Sequence, residues 1–228
     1  MTARGVPAVS DGVRSLGSYD VLKKTYELSF PEAGRARMVV RETTTICAAT
    51  PVRFYRDRYR WTGHGFHQPV SAWRIDSDGQ RTSVRQHGPS YVDDVLPGNR
   101  ASLIDIGRTV TTGERVTIET TSMFIDEAGT FEPFLGFNVL EPGFEELVLL
   151  VSFKEAPASC RYYRVDPDSG EELDREDIAG NDRAAKDGTK TQYSKRIKNP
   201  NRGRHVMAWN DSDHVTTVRK EKGVEGAE

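Results

Sequence analysis

The stretch ARMVVRETTTICAAT, residues 36–50, is the clearest strand signal in the chain. It is crowded with valine, threonine and isoleucine, whose branched side chains are stiff at χ1 and suit a pleated surface. Side chains alternate between the two faces of a strand, so the apolar members of this stretch share one face. They are Met38, Val40 and Ile46. The stretch therefore predicts a strand with one buried face.

Other segments repeat this signal. The run LVLLVSFKE, residues 147–155, is apolar almost throughout and predicts a central strand buried on both faces. Asp78-Gly79 predicts a tight hairpin turn. We expect about nine or ten strands, at the spacing of a sandwich or barrel. We expect segments 88–107, 130–146 and 172–190 to be loops, and residues 192–210 to be a last pair of strands with a turn at 199–203.

No stretch carries a sustained helical period of apolar residues, and parallel strands ordinarily need helical crossovers. The prediction is therefore an all-β protein, an antiparallel two-layer β-sandwich whose architecture would be immunoglobulin-like. Residues 18–211 are predicted to form a single domain. Residues 1–17 are predicted to be a disordered leader, and residues 212–228 a disordered charged tail.

The charge balance limits the class of partner. The chain has 32 Lys and Arg against 34 Asp and Glu, a net charge of -2, which argues against a surface built wholly for nucleic acid. No apolar run is long enough for a secretory signal or a membrane span. We expect a cytoplasmic protein with no membrane association, in which the two cysteines, Cys47 and Cys160, are reduced and buried.

The sequence contains no recognisable catalytic or cofactor motif, neither a GxSxG elbow nor a phosphate-binding loop nor HExxH. No catalytic residue and no cofactor are predicted, with one metal site kept as an alternative. His64 and His67 lie in the flexible segment GHGFH and could bind one ion together with His87 or Asp76. The competing interpretation is that they are ordinary loop histidines.

A basic and aromatic strand, residues 53–61, is the strongest candidate for ligand binding. Alternation predicts that Arg56, Arg58 and Arg60 share one face with Phe54. The opposite face would carry Arg53, Tyr55, Tyr59 and Trp61. Guanidinium groups bind phosphate or carboxylate, and aromatic rings stack on bases. The alternative is a solvated face whose arginines pair with Asp57, Glu42 or Asp76.

Two further regions could extend this surface. Trp73 follows on the next predicted strand. A second basic group surrounds the turn at 199–203 and includes Arg204 with the following residues: Lys195, Arg196, Lys198, Arg202, His205 and Trp209. The ligand-binding set predicted from sequence is therefore Arg56, Arg58, Arg60, Tyr59, Trp61, Trp73 and Arg204.

We interpret the chain as a non-enzymatic binding module that recognises a protein or an anionic ligand through this basic-aromatic face. Nucleic acid is a less favoured partner. Two alternatives come from other functional classes. One is a metal-dependent enzyme or sensor with a His64/His67 site, and the other is a structural domain that forms oligomers.

Overall fold

The structure is a computed structural model, and it describes residues 18–33, 36–60, 63–91, 99–140, 142–182 and 188–210. These residues form fifteen β-strands. The strands are β1 (Tyr19–Phe30), β2 (Arg37–Ala48), β3 (Val52–Arg60), β4 (Gly65–Ile75), β5 (Arg81–Ser83), β6 (Arg85–Tyr91), β7 (Asn99–Val110), β8 (Arg115–Asp126), β9 (Phe134–Val139), β10 (Glu146–Phe153), β11 (Ser159–Val165), β12 (Glu172–Asp177), β13 (Asn181–Asp182), β14 (Thr191–Lys198) and β15 (Gly203–Asn210).

The strands form three sheets, which confirms the all-β prediction. The largest has eight strands in the order β13-β14-β10-β1-β2-β8-β4-β5. A four-stranded sheet, β12-β11-β15-β9, and a three-stranded sheet, β3-β7-β6, pack against one side of it. The large sheet is one layer of the sandwich, and the two small sheets together make the other.

Strand β2 shows how the sequence builds this layer. Its side chains alternate strictly between buried and half-exposed along the strand. Met38, Val40 and Ile46 point inward as predicted. Strand β10 is buried along most of its length and lies inside the large sheet between β1 and β14, which confirms the prediction for residues 147–155.

Two hydrophobic cores lie between the layers. Under the four-stranded sheet, Phe153 stacks on Phe30 with ring centroids 5.1 Å apart, and Trp209 meets both rings edge-on. Under the three-stranded sheet, branched residues such as Ile46 and Ile104 dominate the second core. Burying large apolar side chains of this kind supplies most of the driving force for folding.

One strand pair departs from the expected antiparallel pairing. Strands β1 and β10 are parallel, with Lys23 opposite Glu146 and Phe30 opposite Phe153. The sequence argued against parallel strands because no helix could serve as a crossover. In this structure the chain between β1 and β10 forms strands of all three sheets. These strands, instead of a helix, make the long connection between the two parallel strands.

Several segments predicted to be loops form strands. They contain parts of β6 and β7, strand β9 and strand β12. Strand β12 lies at a sheet edge and is exposed along almost its whole length, so it lacks the apolar alternation that marks a buried strand. Residues 192–210 do form two strands, β14 and β15, on either side of the predicted turn. The prediction that they pair with each other is wrong, because β14 belongs to the large sheet and β15 to the four-stranded sheet.

The remaining predictions about the fold have mixed outcomes. The turn at Asp78-Gly79 is confirmed, with Gly79 at φ 83° between β4 and β5. Cys160 is buried, Cys47 is half-buried, and both are free thiols. Within the described ranges no helix is long and apolar enough to cross a membrane. The leader at 1–17 and the tail at 212–228 lie outside the described residues.

Candidate functional site

The outer face of the three-stranded sheet carries the arginines of β3. Tyr55 and Asp57 are buried against the large sheet. Arg56 and Arg58 therefore point the opposite way, away from the core, as the alternation predicts; Arg56 is half-exposed and Arg58 exposed. Phe54 is half-exposed and lies on this same outer face.

Strand pairing brings more basic side chains to this face. Arg56 and His87 both align with Leu103 of β7, one from each side. Phe54 and Arg85 in turn align with Asp105. We call the outward set Arg56, Arg58, Arg85 and His87 the arginine face.

The carboxylate that borders the arginine face is already engaged. Arg53 holds Asp105 by two hydrogen bonds of 3.1 Å from Nε and Nη2, and these bonds hold the pKa of Asp105 below its ordinary value. In the described part of the chain, neither Arg56 nor Arg58 is paired with a carboxylate. Arg56 and Arg58 thus give the arginine face positive charge that no carboxylate of the described residues pairs with.

The carboxylates expected to neutralise these arginines lie elsewhere. Asp76 binds Arg74 and Arg108, at 3.0 and 2.6 Å. Glu42 and Asp57 are buried between the layers. The solvated-face interpretation named these three partners, and none of them reaches the arginine face.

Other members of the predicted binding set lie apart from the arginine face. Tyr59 faces inward, where its hydroxyl bonds to Nδ1 of His67 at 2.7 Å. Trp73 is in the large sheet, with the Arg81 guanidinium 4.7 Å from its ring centroid. Arg204 is in the four-stranded sheet, 4.8 Å from the Phe134 ring. The side chain of Arg60 and all of Trp61 lie outside the described residues.

The second basic group does not form one surface. Lys195 pairs with Glu176, and Arg196 with Glu146 at 3.4 Å. His205 is buried, with Nδ1 bonded to the Tyr162 hydroxyl at 2.8 Å. Trp209 is likewise buried, in the aromatic core. Two members of the group, His205 and Trp209, are thus parts of the interior.

The two histidines considered as metal ligands have different environments. His64 is exposed, whereas the ring of His67 stacks on Phe124 at 4.3 Å. Burial lowers the pKa of His67 to about 4, so its ring is neutral at pH 7. The phenol of Tyr59 can donate to Nδ1, which leaves the ring hydrogen on Nε2. Across the described residues, no three His, Cys, Asp or Glu side chains are grouped to hold a metal ion.

The most unusual site is a buried charge cluster that the sequence reasoning missed. Lys24 of β1, Glu42 of β2 and Asp57 of β3 are 4%, 7% and 6% exposed. The Lys24 ammonium donates to the carboxylates of both Glu42 and Asp57, the latter at 3.3 Å. The Tyr55 hydroxyl donates to Asp57, also at 3.3 Å. The cluster joins the large sheet to the three-stranded sheet.

Burial and mutual charge set the protonation of this cluster. Burial, together with the nearby Asp57, raises the pKa of Glu42 to about 7, although Lys24 opposes the rise. Burial disfavours the ammonium of Lys24, but the two carboxylates more than offset this and hold its pKa well above the ordinary value. Burial also raises the pKa of Tyr55. At pH 7 Glu42 is therefore about half protonated.

A signal for this cluster was present in the sequence. Lys24 falls in the inward-facing series of β1, between Leu22 and Tyr26. Glu42 falls in the inward series of β2, between Val40 and Thr44. Opposite charges in the inward series of two adjacent strands predict a buried ion pair. Asp57 joins them only because the three-stranded sheet packs on top.

Comparisons with known proteins do not assign this chain to a family. No protein-family model and no curated protein matches its sequence. Among solved structures, it is similar to an M1 zinc metallopeptidase from Deinococcus radiodurans, with 12% identity and a TM-score of 0.49 over 84% of this chain and 42% of that one. It is also similar to a mutant of the M1 zinc metallopeptidase from the same organism, bound to a Tyr-Ser-Ala substrate. The identity is 14% and the TM-score 0.49, over 85% of this chain and 44% of that one.

The chain spans less than half the length of these peptidases. At this level of identity and structural overlap, the similarity bears on neither activity nor ligand. A functional assignment therefore has to come from the sites themselves.

Proposed function

We propose that this protein is a non-enzymatic binding module that recognises an acidic segment of a partner protein through the arginine face. The observation that carries the proposal is the outward placement of Arg56 and Arg58 without a carboxylate partner in the described structure. Arg85 and His87 widen the same face from the other edge of the sheet.

The spacing of the arginines favours an extended acidic chain. Alternate residues on a strand lie about 7 Å apart, so Arg56 and Arg58 present two guanidinium groups at that interval. An extended peptide with acidic residues at every second position repeats its carboxylates at the same interval. Each guanidinium can bind a carboxylate through two parallel hydrogen bonds, which gives geometric specificity as well as affinity.

The aromatic residues of β3 favour a protein partner over nucleic acid. Base recognition needs exposed rings on which bases stack. Tyr55 and Tyr59 instead face the interior. Phe54 is half-exposed and packs against the Arg53 guanidinium, 5.8 Å from the ring centroid. The described part of this face thus offers charge and hydrogen-bond donors rather than a stacking surface.

A cytoplasmic location belongs to the proposal. Its support is that Cys47 and Cys160 are free thiols. The proposal does not include an immunoglobulin-like strand order. A metal-dependent enzyme and an oligomer-forming domain stay predictions that no particular contact favours.

The test is a binding titration with a labelled extended peptide that alternates glutamate and serine, followed by fluorescence anisotropy at low and physiological salt. We expect binding that weakens as salt rises and is reduced at least tenfold in Arg56→Ala/Arg58→Ala. The matched control is Arg196→Ala/Arg202→Ala, which removes two exposed arginines elsewhere, with side chains 68% and 62% exposed. This control should bind like the wild type.

A single-stranded oligonucleotide of equal charge is titrated in parallel. If it binds more tightly than the peptide, a nucleic-acid ligand replaces the protein partner. If both double variants lose binding equally, the interaction reflects net charge and the arginine face has no special role. Failure of both probes to bind the wild type would overturn the proposal.

A further inference from the structure

The buried charge cluster has a chemical property that an ordinary ion pair lacks. One amine, Lys24 Nζ, touches two carboxyl groups inside the protein, one on the adjacent strand and one on the opposite sheet. Replacing such a cluster with apolar residues commonly costs nothing or stabilises a protein, so stability alone does not explain it. An amine and a carboxylic acid in contact are also the two reactants of amide formation.

The surroundings of the cluster are largely aromatic. The rings of Tyr26 and Phe137 lie 5.8 and 6.0 Å from Lys24 Nζ. Tyr55 covers the side nearest the second core and is itself buried. In water, amide formation is opposed by the strong hydration of the ammonium and the carboxylate. Burial removes that hydration, and fixed contact raises the effective concentration of the two reactants.

The proton count of the cluster allows a fully neutral state. With one proton on the carboxyl pair, the cluster holds one ammonium, one carboxylic acid and one carboxylate, and its net charge is zero. Transfer of one proton from Lys24 Nζ to Asp57, across their 3.3 Å contact, leaves an amine and two carboxylic acids. No charge then remains among the three groups. The raised pKa of Lys24 opposes this transfer, and burial lowers its cost because a medium of low dielectric constant disfavours the charged forms.

We propose that Lys24 and Asp57 condense to an isopeptide bond that links β1 to β3, with Glu42 transferring the proton. The inference is independent of the arginine face, which lies on the other side of β3. It assigns a self-catalysed covalent modification to residues that would otherwise form a buried ion cluster.

The bond changes balance without a further reactant. The lone pair of Lys24 Nζ attacks Cγ of Asp57, while the acid of Glu42 donates a hydrogen bond to the Asp57 carboxyl and makes its carbon more electrophilic. The Asp57 hydroxyl leaves as water with the Glu42 proton. Nζ gives up one hydrogen, which restores the acid of Glu42. One N–C bond forms, one C–O bond breaks, and one water is released.

Other polar groups face the cluster from the packed strands. Tyr26 of β1 and Tyr55 and Tyr59 of β3 stay protonated, because burial raises their pKa values. His67 of β4 is neutral near pH 7, and Arg100 of β7 is the nearby fixed cation. None of these groups changes protonation between pH 6 and 8. The pH dependence of bond formation over that range therefore belongs to Glu42.

The test is the mass of the intact, purified full-length chain under denaturing conditions. The mass of the cross-linked chain is lower by one water than the mass calculated from the sequence. A chain with a non-covalent cluster has the calculated mass. Trypsin locates the bond, because it cleaves after Lys23, Arg56 and Arg58 but not after an acylated Lys24. The expected product is the peptide of residues 24–35 carrying the dipeptide Asp57-Arg58.

Variants separate the roles of the three residues. Lys24→Arg keeps the charge but should have its full mass, whereas Lys23→Arg alters the exposed neighbouring lysine and should still be one water lighter. Asp57→Asn should lose ammonia instead of water and give the same product mass as the cross-linked wild type. Glu42→Gln should remain at full mass, and circular dichroism shows whether it is folded.

Three outcomes would overturn the proposal. A wild-type chain at full mass means that the bond does not form. A linked peptide that joins residues 24–35 to residues 42–53 makes Glu42 the acceptor instead of Asp57. A folded Glu42→Gln variant that cross-links completely removes the role of Glu42.

Discussion

Replacing Glu42 by glutamine should change how the stability of this protein depends on pH. The folded chain holds the pKa of Glu42 at about 7, against an ordinary value of 4.5. Between these two values the folded state binds more protons than the unfolded state. The free energy of unfolding must therefore fall as pH rises through this range, because the buried carboxyl ionises only at a cost.

The size of this effect follows from the two pKa values. Each unit of difference between the folded and unfolded pKa values corresponds to about 1.4 kcal/mol. The ionisation of Glu42 should therefore lower the free energy of unfolding by roughly 3 kcal/mol between pH 5 and pH 8. Glutamine has nearly the same volume, keeps an oxygen that accepts from Lys24, and does not ionise. We expect Glu42→Gln to approach or exceed the wild type in stability as the pH rises.

The assay is urea unfolding at pH 5, 6, 7 and 8, followed by tryptophan fluorescence, since Trp209 is buried against Phe30 and Phe153. The informative quantity is the stability of Glu42→Gln minus that of the wild type. His67 and His205 have lowered pKa values and act in the opposite direction, with stability rising as pH rises towards 6.5. They are present in both proteins and cancel in the difference.

We expect the difference to rise by roughly 3 kcal/mol from pH 5 to pH 8. Glu32→Gln, which alters an exposed carboxylate paired with Arg37, should show a flat difference. If the isopeptide bond forms, condensation removes both the Asp57 charge that raises the pKa of Glu42 and the Lys24 ammonium that lowers it. Burial, the largest cause of the rise, remains, so the direction is the same. A flat difference for Glu42→Gln would show instead that Glu42 does not hold a proton at neutral pH.

Three further predictions use the same unfolding measurements. Phe153→Ala should destabilise the protein by about 3–5 kcal/mol, because a fully buried ring in the aromatic core leaves a cavity; an effect below about 1 kcal/mol would contradict this packing. Gly65→Ala should lower the free energy of unfolding by more than about 2 kcal/mol, and clearly by more than Gly79→Ala does. Both glycines have positive φ, but only at Gly65 would an added Cβ meet a backbone carbonyl of β8. Arg108→Met should destabilise by less than about 1 kcal/mol at pH 7, because the Arg108 and Glu114 side chains are 35% and 32% exposed and water screens the pair. Hydrogen bonds from Arg108 hold the pKa of Glu114 at about 2, so this stabilisation is present above pH 4.5 and should disappear as the pH falls towards 2.

The strands that carry strong apolar alternation could be predicted from sequence, and those at edges could not. Strand β2 was evident because branched and apolar residues repeat every second position. Strand β12 was missed because an edge strand can be polar on both faces. The parallel pairing of β1 with β10 was also missed, since pairing between distant strands leaves no local trace in the sequence.

The arginine face was predicted in part. Alternation along one strand is a local property, so the shared direction of Arg56 and Arg58 followed from the sequence. The addition of Arg85 and His87 required the register of β6 against β7, which sequence does not reveal. For the same reason, the sequence wrongly grouped Trp73 and Arg204 with this face, although each belongs to a different sheet.

Three properties follow from the sequence alone: the all-β class, the strands that have a buried face, and the side of β3 on which Arg56 and Arg58 lie. These properties depend on side chains that are neighbours along the chain. The packing of the sheets brings Lys24, Glu42 and Asp57 together, and Glu42 and Asp57 are therefore unavailable to the arginine face. The physical reason is that charge pairing acts through space, so the sheet packing determines which carboxylate neutralises which cation.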